Sequence, residues 1–217
     1  MKKRLATLVA LPAALLIPAG AALAVSAGNF GAALHAVPHD HVADGGSNVT
    51  GEAALRLTGR LLDVRISATG LTPNETHAMH IHGVTTAMNE CPTIDADANT
   101  GDPIDPGTVV EGVPDGLISL SEGLPDYGPI DVSLTTIGDT SPRSGLDLER
   151  FIAADADGAI EYHRSVRVPK DVAKNLDNLH IVIHGADLPG DEDASSLSSL
   201  FEATLPVACG EIDRVTR

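Results

Sequence analysis

The chain has 217 residues, a formal net charge of −16 and 43% hydrophobic residues, but only 2% aromatic ones, with three Phe, two Tyr and no Trp. Nucleic-acid binding needs cationic surface and stacking rings, so this balance argues against nucleic acid as a partner. The aliphatic content excludes a disordered chain and requires a core built with little aromatic help.

At the start, Lys2, Lys3 and Arg4 precede an apolar run from Leu5 to Ala24 that ends in small residues, the pattern of a secretory signal peptide over residues 1–27. Small-x-small sites place cleavage after Ala24 or after Ala27. Pro12, Pro18 and Gly20 interrupt the run and speak against a retained anchor, so no membrane span is expected after cleavage. The expected location is therefore secreted, periplasmic or cell-envelope. In such an oxidising compartment the two cysteines, Cys91 and Cys209, pair more often than they stay free. Residues 28–47, with His35, His39 and His41, read as a flexible polar arm, with metal capture by its histidines as the less common alternative, followed by one domain over residues 48–217.

Within that domain the main signal has period two. Leu62, Val64, Ile66 and Ala68 alternate with Asp63, Arg65, Ser67 and Thr69, which predicts a half-buried strand. Thr58-Gly59-Arg60 separates it from Leu55-Arg56-Leu57 and predicts a hairpin. Asp155-Ala156-Asp157-Gly158, between Phe151-Ile152 and Ile160-Glu161-Tyr162, predicts a second antiparallel pair. Leu179, Ile181 and Ile183 give a further strand, while helix signals are confined to residues 172–176 and 195–201. The expected fold class is all-β, an antiparallel sandwich or barrel. Residues 92–150 break the pattern with seven Pro, eight Gly and twelve acidic residues against two Arg. A loop of this length is either functional or tied down, and Cys91 at its start is the obvious tie. Asp95, Asp97 and Asn99 resemble half of a calcium loop, but Thr100 and Pro106 stand where its Gly and Glu belong, so a solvated acidic turn is expected.

Histidines carry the chemistry. On a strand, residues two apart share a face, so His80 and His82 project together while His77, Met79 and Ile81 point the other way. The same parity places His180 and His184 opposite Leu179, Ile181 and Ile183. Each strand thus offers imidazoles on a polar face. Imidazole suits copper or zinc, and several imidazoles with no free thiolate suit copper better than a structural zinc cage. The competing reading is a pair of solvated histidine faces. Four residues along a strand is roughly 13 Å, too far for His180 and His184 to share one ion directly unless the strand bends.

The run Gly70-Leu71-Thr72-Pro73-Asn74-Glu75-Thr76-His77-Ala78-Met79-His80-Ile81-His82-Gly83 resembles the copper strand of the copper/zinc superoxide dismutase family. Cys91 stands at the family spacing beyond His82, and Val207-Ala208-Cys209-Gly210-Glu211-Ile212 is similar to the strand carrying the second disulfide Cys. Asn178-Leu179-His180-Ile181-Val182-Ile183-His184-Gly185-Ala186-Asp187 resembles the strand of the last copper ligand, and Ala154-Asp155-Ala156-Asp157-Gly158 the turn after the metal loop. The similarity covers most of residues 48–212 in the family order. It implies a Greek-key antiparallel β-barrel with a long irregular loop and a Cys91–Cys209 bridge. It also implies copper held by His80, His82 and His184, with His77 supporting the site without binding metal.

Departures are as informative as matches. The family's bridging His is replaced by Asp97, and no His lies between His82 and His163, so zinc is not expected; Asp147 alone is no zinc site. Asp97 or His180 is left as the candidate for a fourth copper ligand. Pro206 stands where the family has an Arg that guides superoxide, and the loop from Asp187 to Asp193 is acidic. The favoured reading is a secreted superoxide dismutase-like domain that binds copper through three histidines with weak or no dismutase activity. Its alternatives are an active copper-only dismutase, converting superoxide to oxygen and hydrogen peroxide, and a chordin-type extracellular domain in which metal has no part. His163, beside Tyr162 and Arg164, reads as ordinary surface.

Overall fold

Period-two alternation organises the sheet from the first described strand to the last. The computed structural model describes residues 27–39, 48–83, 87–97, 116–187 and 200–216; the expected signal peptide up to residue 26, His41, and most of the acidic loop after Asp187 lie outside them. In chain order the strands are β1 (Gly28–Ala36), β2 (Thr50–Thr58), β3 (Leu61–Thr69), β4 (Thr76–His77), β5 (Met79–His82), β6 (Ile130–Ser133), β7 (Ile152–Ala153), β8 (Ile160–Arg167), β9 (His180–His184), β10 (Pro206–Glu211) and β11 (Asp213–Arg214). Three short helices accompany them: α1 (Leu120–Tyr127), α2 (Lys170–Lys174) and α3 (Leu200–Thr204). None of the described helices is long and apolar enough to cross a membrane.

The main sheet is antiparallel in the order β6-β5-β9-β10-β1-β2-β3-β8, with β11 added beside β1, and β4 and β7 form a separate pair. The all-β antiparallel expectation holds: the sheet curls into a half-barrel. Side chains tie its two ends. From β8, Tyr162 Oη donates to the Thr135 carbonyl at 3.1 Å, and Arg164 donates to the carbonyls of Thr135 and Gly138 at 2.7 Å each, just beyond β6. Inside the curl lie Leu34, Leu57, Leu62, Val64, Ile66, Met79, Ile81 and Ile183, all essentially inaccessible to water. Full burial of each such side chain contributes about 1.5–3 kcal/mol, so aliphatic residues carry the core as the composition required.

The β2–β3 hairpin forms where expected. Thr58 pairs with Leu61, and Gly59 takes φ +62° at the first position of the two-residue turn, where a side chain would be disfavoured. Two expectations are corrected. Residues 28–36 are not part of a flexible arm: they form β1, which pairs with β2 from Gly28 to Leu34 and with β10 at His35 and Ala36. Phe30, Ala32 and Leu34 of β1 enter the core, and the small Gly and Ala between them hide the alternation in the sequence. The domain therefore includes Gly28. The second correction concerns the turn at Asp155–Gly158, which forms, with Asp155 Oδ1 accepting from the amides of Asp157 and Ala159 at 2.9 Å. Its flanking strands do not pair with each other, because β7 pairs with β4 and β8 with β3.

The long segment after β5 is folded rather than irregular in its described parts. Ser119 caps α1 reciprocally: Ser119 Oγ accepts from the Glu122 amide at 3.4 Å and Glu122 Oε2 accepts from the Ser119 amide at 2.9 Å. Cys91 and Cys209 form a disulfide across 118 residues of sequence, with their Cα atoms 5.7 Å apart. It fastens the start of this segment to β10. Beneath it Val37, Ile118, Tyr127, Val182 and Cys209 form a second buried cluster against which Cys91 and Ala96 pack. Val182 and Cys209 are register partners on the outer face of β9 and β10, so that face is dry. Bridges of this kind persist in non-reducing compartments. The double substitution Cys91→Ser/Cys209→Ser is expected to cost about 2–5 kcal/mol, read as a lowered urea midpoint against the oxidised protein.

Candidate metal centre

All four residues of β5 are buried, Met79 and Ile81 in the main core and His80 and His82 on the opposite face. In β9 the same parity puts His184, Val182 and His180 on the histidine face, and register places His82 opposite His180 and His80 opposite Val182. The sequence pattern suggested a wet face here. Instead the outer cluster and the segments that follow α1 and β6 cover it, and the three rings lose their water.

Backbone carbonyls replace that water. His82 Nδ1 donates to Gly128 O at 2.7 Å, His184 Nδ1 to Thr204 O at 2.8 Å, and His80 Nε2 to Gly145 O at 3.0 Å. A carbonyl only accepts, so these contacts put the proton on the named nitrogen and leave a lone pair on the other. The remaining atoms are His80 Nδ1, His82 Nε2 and His184 Nε2. His80 Nδ1 is buried without a hydrogen-bond partner, and the Nε2 atoms of His82 and His184 lie 3.4 Å apart. The ligand atoms of the three residues all lie within 4.8 Å of one another. Metal–imidazole bonds of about 2 Å separate ligand nitrogens by roughly 3–4 Å, so the donor set fits one ion. The three histidines can therefore hold a metal ion.

Burial and mutual repulsion keep the rings neutral. Burial pushes His82 down to about 3, helped by His184, and His184 down to about 4; His80 is held well below the ordinary range by burial and by its two histidine neighbours. Tyr127 stands edge-on to His82 with ring centroids 4.8 Å apart, and Phe151 edge-on to His80 at 5.4 Å, closing the site with apolar walls. Two glycines let the backbone come close enough to supply the acceptors. A side chain at Gly128, whose φ is +82°, would strike the Gly83 carbonyl at 2.6 Å, and one at Gly145 would meet Ile130 at 2.7 Å.

The other candidates are placed as follows. His77 faces away from the triad and lies 3.0 Å from the His184 carbonyl through Nδ1 and 3.1 Å from the Thr72 carbonyl through Nε2; burial lowers its pKa, so a neutral ring donates to one of them. It fixes the backbone on which His184 sits. Neither proposed fourth ligand joins the group formed by His80, His82 and His184. Asp97 Oδ2 instead accepts the Gly116 amide at 2.9 Å and ties the long segment, and His180 lies to one side, opposite His82. Asp147 pairs with Arg150 at 3.4 Å. His39 bridges Ile118 N at 3.0 Å and Pro206 O at 2.7 Å, so it helps fasten the cover. His163 is exposed and bonds Asp63 at 2.9 Å, as surface histidines do.

Sequence reading missed Tyr127, Phe151 and the three carbonyls. The Ser119-x-x-Glu122 capping box was a usable signal for α1 and hence for Tyr127. Backbone acceptors carry no signal of their own, although Gly128 and Gly145 mark two of them. Comparison with protein-family models and with curated proteins finds no match for the chain.

Two outcomes follow from this geometry. Unfolding exposes rings that titrate near 6.5, whereas His82 and His184 titrate near 3 and 4 when folded, so the unfolded chain binds more protons in between. Metal-free protein is expected to keep its full stability above about pH 6.5 and to lose it progressively as pH falls towards 3, measured by urea midpoints across that range. Gly128→Ala is expected to displace the acceptor of His82 and weaken metal affinity by about 10- to 100-fold in a competition titration.

Proposed function

We propose that the chain is a secreted, superoxide dismutase-like module that binds one copper ion through His80 Nδ1, His82 Nε2 and His184 Nε2 and has weak or no dismutase activity. The observation that carries this reading is the convergence of three neutral, lone-pair nitrogens in a buried site. Both cysteines are spent in the disulfide, which leaves an all-imidazole donor set that favours copper over a structural zinc cage. The antiparallel half-barrel and the motif order of the sequence support the dismutase-like reading.

Copper bound here supplies one-electron redox chemistry. The protein's part is to hold the rings: Gly128, Gly145 and Thr204 take the ring protons, and Tyr127 and Phe151 exclude water. What is missing is help for an anion. Pro206 occupies the position of the family's guiding Arg; it is buried, and its carbonyl is engaged by His39. The triad residues are 2%, 0% and 3% exposed among the described residues, so superoxide meets no guanidinium at position 206 and no open face of the triad.

Metal analysis after loading with copper and zinc is expected to give about one copper and no stoichiometric zinc, with copper raising the thermal midpoint because the folded state alone presents the site. His184→Ala should lose that copper. Copper content unaffected by removal of all three histidines overturns the assignment, and a robust dismutation rate on the loaded sample overturns the weakly active reading.

A further inference from the structure

An ion bound by the triad has to pass residues that close it off from solvent. His180 is the buried ring beside the triad that the triad does not use. It is 1% exposed; the backbone of Asn89 lies close enough to one ring nitrogen to favour its proton, and the other nitrogen meets no partner. A buried ring nitrogen in that condition is destabilising by itself and is satisfied by a ligand. Register fixes its neighbours: His82 stands opposite it on β5 and Glu211 opposite it on β10. Such cross-strand partners share a face with Cβ atoms about 4.5–5.5 Å apart, so Glu211, His180 and His82 form one row across three strands.

At the outer end of that row is a pocket of ≈ 150 Å³ lined by Asn89, Asp177, Asn178, His180, Glu211 and Asp213. Glu211 and Asp213 are exposed, whereas Asp177 pairs with Arg214 at 3.5 Å. Asn89 Oδ1, on the same pocket, is a second buried polar atom without a hydrogen-bond partner. Exposed carboxylates, the unmet Asn89 side-chain oxygen and the one unmet nitrogen of the buried imidazole are a graded series of ligands for a divalent cation, hardest outside and most nitrogenous inside.

We propose that His180 is a transfer ligand, which receives Cu(II) from the Glu211–Asp213 mouth and passes it along the row to His82. This rests on the copper-binding reading of the triad. The step is a ligand exchange: the bond from a His180 nitrogen breaks as one from His82 Nε2 forms, and no electron is transferred. It also accounts for the position of His180, outside the group of three yet on the same face.

The test mixes metal-free full chain with glycine-buffered Cu(II) in a stopped-flow instrument, following the copper absorption band and taking the electron paramagnetic resonance spectrum at the end point. His180→Leu is expected to slow loading at least tenfold while stoichiometry and end-point spectrum stay those of the unsubstituted chain. Glu211→Gln, a surface change that cannot disturb the core, is expected to slow it severalfold and to flatten its dependence on ionic strength. Loading of both variants at the parental rate overturns the transfer route and leaves the triad standing. A folded His180→Leu chain that binds no copper makes His180 a permanent ligand and overturns it equally. If the parental chain itself shows no copper spectrum sensitive to His184→Ala, the underlying reading fails and the route with it. Should His180→Leu fail to fold, the Glu211→Gln rate decides.

Discussion

The Cys91–Cys209 bridge holds a covering segment against a sheet face that antiparallel strands ordinarily leave to water. Everything distinctive about the site depends on that cover. With α1 and the outer cluster in place, His80, His82 and His184 can no longer bond to solvent and must find partners in the protein. They find carbonyls, each of which takes one ring proton and so fixes which nitrogen is left open. The same burial that removes water lowers the pKa values, so the open nitrogens carry lone pairs at neutral pH. Ring orientation, tautomer and charge are thus set together by one covalent tie and the small cluster beneath it.

Such a site is costly without metal. A buried polar atom with no partner costs about 1–3 kcal/mol, and His80 Nδ1 is in that position. The opposite face of the same strands offsets this, because Met79, Ile81, Ile181 and Ile183 are fully buried in the aliphatic core. Each of β5 and β9 therefore has one face devoted to stability and one to chemistry. Their alternation keeps the main aliphatic core and the three histidines on opposite sides, with Val182 of the outer cluster sharing the histidine face.

That alternation is also why part of the site was legible beforehand. That His80 shares a face with His82, and that His184 lies opposite Ile181 and Ile183, follows from strand geometry alone, and the Cys pairing followed from compartment and motif order. What was not legible depended on tertiary structure. Nothing local says that the histidine face is covered, because the cover comes from residues far along the chain, such as Ile118 and Tyr127. β1 was hidden for a different reason: Gly31, Ala32 and Ala33 give too little contrast for a period-two pattern to stand out, although Phe30 and Leu34 fix its register. His180 was placed on the correct face, but parity fixes a side of the sheet and not a distance to an ion, and it lies outside the group of three.

The composition acquires a location. Of five aromatic side chains in the whole sequence, Tyr127 and Phe151 stand against the histidine rings and help exclude water there, while Phe30, Tyr162 and Phe201 belong to the main core. Many of the described acidic residues lie at the surface instead, with Glu211 and Asp213 on the pocket beside His180, although Asp97, Asp126 and Glu202 are buried. A net charge of −16 raises the local concentration of cations and lowers that of anions, most of all in a pocket lined by carboxylates. The electrostatics of this chain therefore favour collecting a cation over collecting an anion, and the same residues that make it a poor trap for an anion suit a site whose three histidines can hold a metal ion.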